Sequence, residues 1–189
     1  MEADWAAEVG PDLPIIDVPW DGFVDLRLAP SNAATLAEAG AHPAIAEALA
    51  ALNALQSPVF TVKCDGWSLA GYEIDPDEFA ADAEHARDGF ASYFDILRLD
   101  PAALARFRFH ERWARSLTKE LRRLTLSNGR VDLVIRPASV NSYSGYGITL
   151  YAAGCGADSS AAYASWEAVL RAAVTATINL DSTPALTGE

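Results

Sequence analysis

The chain has 189 residues and only two cysteines, Cys64 and Cys155. Two thiols make no disulfide framework, and with them a reducing, cytoplasmic setting is the expectation. No apolar run reaches the 18 or more residues of a membrane span, so no membrane partner is expected. Residues 1–10 carry acids and lack a basic stretch leading into an apolar core, so no signal peptide is expected. Basic residues are scarce in the first half: residues 1–97 hold 3 against 18 acidic ones. With a net charge of -12, that scarcity argues against a nucleic-acid partner, because affinity for a phosphate backbone rests on Lys and Arg. Catalytic signatures are missing too. There is no GxSxG elbow, no P-loop and no GxGxxG after a strand. The three histidines, His42, His85 and His110, are scattered without HxxxH or CxxC ligand spacing, so no metal or other cofactor is expected.

What is present is a core. Hydrophobic residues make up 51% of the chain, including five tryptophans. A globule of this length buries roughly 70% of its unfolded surface and needs no staple. Heavy use of Ala suits a bacterial source. Charge is unevenly placed: residues 98–189 hold 11 basic and 8 acidic residues, and ten of the 14 basic ones fall between Arg98 and Arg136. A solvated helix face explains such a run, as does attraction between the two halves. The sharper reading is an anion-binding or partner-binding face on the second half.

The same landmarks recur twice in order. Asp21-Gly22-Phe23, Leu26-Arg27-Leu28 and Gly71-Tyr72 are followed by Asp88-Gly89-Phe90, Leu97-Arg98-Leu99 and Gly145-Tyr146. Such self-similarity predicts an internal duplication. Residues 1–20 read as an N-terminal arm with an edge strand at Ile15-Ile16. Residues 21–88 and 89–180 read as the two repeat halves of one compact domain, and 181–189 as a loose tail.

Each half reads as strand, helix, strand, strand, helix. In the first, residues 23–28 are a strand candidate, and Ser31 or Asn32 caps a helix that breaks at His42-Pro43. Residues 59–64 and 67–74 form a hairpin around Asp65-Gly66. Asp75-Pro76 opens a helix that ends near Asp88. In the second, residues 90–99 are a strand. Asp100-Pro101 opens a helix to about Leu124, with Leu104, Phe107, Ala114, Leu117, Leu121 and Leu124 as its buried stripe. Residues 131–135 alternate as a half-buried strand. A loop at 141–145 leads to a return strand at 147–153, and Asp158 caps a last helix to about Thr177. The fold class expected is α+β: a mostly antiparallel sheet of about six strands with helices packed on one face.

Several residues are candidates for chemistry. Cys155 lies between two glycines before a helix start, where a thiol pKa falls. The ordinary alternative is a small buried thiol at a strand end. His110, with Glu111 beside it, could do acid–base work, or sit at the core edge bonding to a backbone carbonyl. The aromatics near the two expected hairpins, Trp67 and Tyr72 in one and Tyr143 and Tyr146 in the other, suit a ligand or protein contact as well as cross-strand packing. The leading expectation is a soluble, non-catalytic binding or protein-interaction domain taking a small ligand or a protein. Contact would centre on Arg136, Tyr143 and Tyr146 rather than on Trp67 and Tyr72. The alternatives are a small enzyme using Cys155 or His110, and a subunit that self-assembles by setting its acidic half against the basic patch of another copy.

Overall fold

The computed structural model describes residues 1–180; the tail expected at 181–189 lies outside them. The fold is α+β. A six-stranded sheet has the order β1-β5-β6-β4-β3, with β2 also on β5. The strands are β1 (Glu2–Ala7), β2 (Ile16–Val18), β3 (Val59–Ala70), β4 (Asp88–Arg98), β5 (Gly129–Val140) and β6 (Tyr143–Gly156). The α-helices are α1 (Ala37–Ala41), α2 (Pro43–Leu52), α3 (Pro101–Leu104), α4 (Phe107–Leu121) and α5 (Ser159–Asn179). The β3–β4, β4–β6 and β5–β6 pairs are antiparallel, and β1 and β2 lie end to end, both parallel to β5. No helix among the described residues is long and apolar enough to cross a membrane.

Strand alternation divides the sheet into two faces. Phe94, Ile96, Leu133, Ile135, Ile148 and Leu150 point into the main core against Ile45, Leu49 and Leu52 of α2, Leu117 and Leu121 of α4, and Trp166 and Leu170 of α5. Trp166 is fully buried and its indole N–H donates to Ser92 Oγ at 2.8 Å. Gly154 lets α5 lie against the sheet, since a Cβ there would stand 2.1 Å from the Trp166 backbone nitrogen.

The second half follows its sequence pattern. Asp100 and Asp158 accept the capping bonds expected of them, from Ala102 N and Ala161 N, both at 2.9 Å. The expected 101–124 helix is divided at residues 105–106. The reason is that Leu104 packs against Leu97 and Ile16 on the opposite side of the sheet from the α4 stripe. The expected loop at 141–145 narrows to Asn141-Ser142, both at positive φ, and β6 already begins at Tyr143.

The first half departs from expectation, and the repeat is not mirrored in its elements. Residues 23–28 are turns rather than a strand. There Asp25 binds the Arg27 side chain at 2.6–2.7 Å and accepts its backbone N–H at 3.1 Å, a local closure that competes with extended pairing. The first helix starts as a 3-10 turn, Pro30–Thr35, with Ala29 rather than Ser31 or Asn32 at its cap; the break at His42-Pro43 is as expected. Asp65-Gly66 does not turn. β3 runs through it, because Gly66 makes room for Ile45, whose Cδ1 would stand 3.0 Å from a Cβ there. Gly71–Glu73 is a 3-10 turn, whereas Gly145 and Tyr146 lie inside β6. Asp75 caps as expected, accepting from Asp77 N at 3.1 Å, but only a 3-10 turn follows, Pro76–Phe79, with another at Ala83–His85. Ile74, Phe79 and Ala86 share one buried cluster with Cys155, and intervals of five and seven residues do not make a helical stripe. Residues 71–86 therefore lie across the sheet as a strap. The N-terminal arm also holds more than the one edge strand expected: β1 was hidden by weak alternation, with Ala3 its one fully buried residue.

Candidate functional site

The face of the sheet away from the long helices is covered at its two ends only. At one end the strap seals Cys155 under Ile74, Phe79 and Ala86. At the other, Ile16, Val18, Phe60, Leu97, Leu104 and Ala138 form a second small core. Between them a trough crosses the strands. Its floor is set by register: Asp65 of β3 lies opposite Tyr93 of β4, Tyr93 opposite Tyr151 of β6, and Tyr151 opposite Asp132 of β5. The rings form a row, with Trp67 6.3 Å from Tyr93 and Tyr93 6.1 Å from Tyr151 between centroids. The Arg136 guanidinium closes the row 5.8 Å above Tyr151. Tyr93 and Tyr151 are half-buried, and Asp65 and Trp67 are exposed.

Beside the rings runs a polar chain. Arg136 donates to Glu8 Oε2 from Nε at 3.1 Å and Nη2 at 2.9 Å, and from Nη1 to Thr149 Oγ1 at 3.0 Å. Thr149 in turn donates to Asp95 Oδ1 at 2.6 Å. Asp95 is 8% exposed. Burial pushes its pKa up, against the pull of the Thr149 hydrogen bond and the charges of Arg136 and Lys63. Asp95 thus meets its nearest guanidinium only through a hydroxyl. The Tyr93 phenol is pushed up to about 12, by burial first and then by Asp95 and Asp65. Cys64 is also pushed up to about 12, by burial and then Glu38, Asp65 and Asp95. Burial leads all three shifts, and the trough sets the negative charge of Asp65 and Asp95 beside the positive charge of Lys63 and Arg136. It opens at the β3 edge into a cavity of about 270 Å³ bordered by Trp20, Leu36, Lys63, Cys64 and Tyr93.

Among the residues expected at a contact surface, the structure unites Trp67 and Arg136 and separates the others. Tyr146 packs on the helix side, 5.3 Å from the Phe107 ring and 6.2 Å from His110. Tyr143, 76% exposed, begins β6, and Tyr72, 91% exposed, sits in the strap. Tyr93, Tyr151, Asp95 and Thr149 belong to no motif in the sequence. Their signal was the i, i+2 spacing of polar and aromatic residues within otherwise apolar strands, at 93/95 and 149/151.

The two candidates for catalysis lie on opposite faces of the sheet. Cys155 is fully buried under the strap and burial raises its pKa, so a thiolate is disfavoured. His110 is fully buried in α4 with Nδ1 3.0 Å from Arg106 O. Burial lowers its pKa and keeps the ring neutral, outweighing that backbone bond. Asp82, Glu84 and His85 of the strap bring their ligand atoms within 4.8 Å of one another, but Asp82 and Glu84 are exposed. Comparison with known proteins found no match to this chain among family models, curated proteins or solved structures.

Proposed function

We propose that this chain is a non-catalytic binding domain whose contact surface is the trough. Its ligand is a slender one carrying positive charge on apolar stems, as an extended protein segment rich in Lys and Arg does. The observation that carries this reading is the Trp67–Tyr93–Tyr151 row with the carboxylates of Asp65 and Asp95 along one flank of it. Aromatic faces attract cations, more strongly once water is displaced. A desolvated carboxylate without a directly bonded cation gains from one that arrives. The net charge of -12 steers basic partners toward the surface and turns polyanions away. Burial of Cys155 and His110 supports a domain without catalysis, and its two free thiols suit a reducing cytoplasm.

The test is a titration of the labelled protein with the dodecapeptide (Arg-Ala-Lys-Ala)₃, followed by NMR. Saturable shifts at the Trp67 indole and the Tyr93 and Tyr151 rings are expected. A Tyr93→Ala, Tyr151→Ala double variant should weaken binding at least tenfold while staying folded. Shifts confined to Tyr72 and Tyr143, or unsaturable shifts spread over all acidic residues, would place the contact elsewhere.

A further inference from the structure

The basic run of the second half is ordered in space. Arg108, Arg112, Arg115, Lys119 and Arg122 are all exposed, and their spacing of 4, 3, 4 and 3 residues sets them in one line on α4 and its last turn. The line is about 21 Å long at 1.5 Å per residue. Arg115 pairs with Glu111 at 2.9 Å, and Arg122 lies 3.8 Å from Asp4. Among the described residues, Arg108, Arg112 and Lys119 have no carboxylate within ion-pair distance. The stripe is therefore a surplus of positive charge on a strongly acidic protein.

The opposite surplus sits on the strap. Ile74, Phe79 and Ala86 pin it to the sheet, so its carboxylates are presented on a fixed backbone rather than on a free loop. Glu73, Asp75, Asp82 and Glu84 are exposed, and among the described residues none of them forms an ion pair. One chain thus carries two rigid surfaces of opposite charge, which approach each other only at the β1 edge, where Arg122, Asp77 and Glu78 border one cavity.

We propose that copies of this chain associate through these surfaces, the α4 stripe of one against the strap of the next. The proposal is independent of what occupies the trough. A single exposed ion pair contributes little, but a row held in register by two rigid elements adds several at once. At physiological salt the Debye length is about 8 Å, so charges near the contact outweigh the net charge of each copy. Nucleic acid and anionic membranes fit the stripe less well, because their charge extends over the whole acidic molecule.

Sedimentation in 0.1 M NaCl should show a mass rising with concentration from 20.2 kDa toward at least twice that value, and falling back in 1 M NaCl. Arg112→Glu with Lys119→Glu should abolish the association. Asp82→Lys with Glu84→Lys should abolish it too, although this pair moves the net charge from -12 to -8 and general repulsion alone would predict the reverse. Mixing the two folded variants should restore association, because each supplies the surface the other has lost. The proposal is overturned by a wild-type chain that stays monomeric at all concentrations, by association that strengthens with salt, or by a mixture that stays monomeric. A monomeric wild type that binds a polyglutamate peptide through the stripe would overturn it as well, by giving the stripe to a foreign acidic partner.

Discussion

Tyr93 stands beside two carboxylates, Asp65 across on β3 and Asp95 two residues on along β4, and its ionisation reports on both. With its phenol held near 12, the folded protein should show phenolate absorbance from this residue about two pH units later than a free tyrosine, and Asp95→Asn should bring the onset down. The folded pKa lies above the unfolded value, so the stability it contributes is complete below pH 10 and is lost between about pH 10 and 12. His110 has the opposite sign. Its folded pKa is depressed by burial, so its contribution is complete above about pH 6.5 and fades as the solution is acidified. His110→Asn keeps a donor for Arg106 O and removes the titration. The variant should be less stable at neutral pH and should show a shallower loss in chemical denaturation series run from pH 7 to 5. Alkylation of the intact protein should find Cys155 slower than free cysteine, since it lies fully buried beneath the strap; a faster reaction would restore it as a nucleophile.

Among the elements, α4 and α5 state most directly what the sequence encodes. Leu117→Ala, a truncation at a 1% exposed position, should cost about 2–5 kcal/mol in a denaturant melt. From the sequence, Arg122→Ala is a surface change worth under about 0.5 kcal/mol. The structure raises that figure to about 1 kcal/mol, because Arg122 Nε donates to Ala3 O at 2.6 Å and ties α4 to β1. Gly154→Ala should be worse than either, with a Cβ driven into the α5 backbone; a thermal midpoint close to that of the wild type would mean that α5 moves away freely. The second half was legible because its patterns are local: alternation in β5, a helical stripe in α4, and Asp caps before α3 and α5. The first half was not, because its elements answer to distant partners. Gly66 serves Ile45 rather than a turn, and the strap follows Cys155, some 70 positions away. The trough was half visible. Trp67 and Arg136 stand out in the sequence, whereas Tyr93 and Tyr151 meet only through the β4–β6 register, which no single strand reveals.

At the scale of the whole molecule the sheet has two differently protected edges. β3 carries Lys63 and Asp65 and an irregularity between Thr61 and Cys64, devices that discourage pairing with a neighbour. β5 relies on cover instead: β1 and β2 occupy its outer edge. Removing residues 1–18 should therefore bare a long apolar edge, and the shortened protein should bind hydrophobic dye and aggregate where the full chain does not. This arrangement also sets a schedule. Glu2 finds its partner at Arg130, so β1 leaves the ribosome with nothing on β5 to pair with until 128 further residues have followed. At 5–20 residues per second, that is a wait of roughly 6–26 s. β1 spends this interval outside the sheet, and the β5 edge it covers cannot be closed before β5 itself has been made.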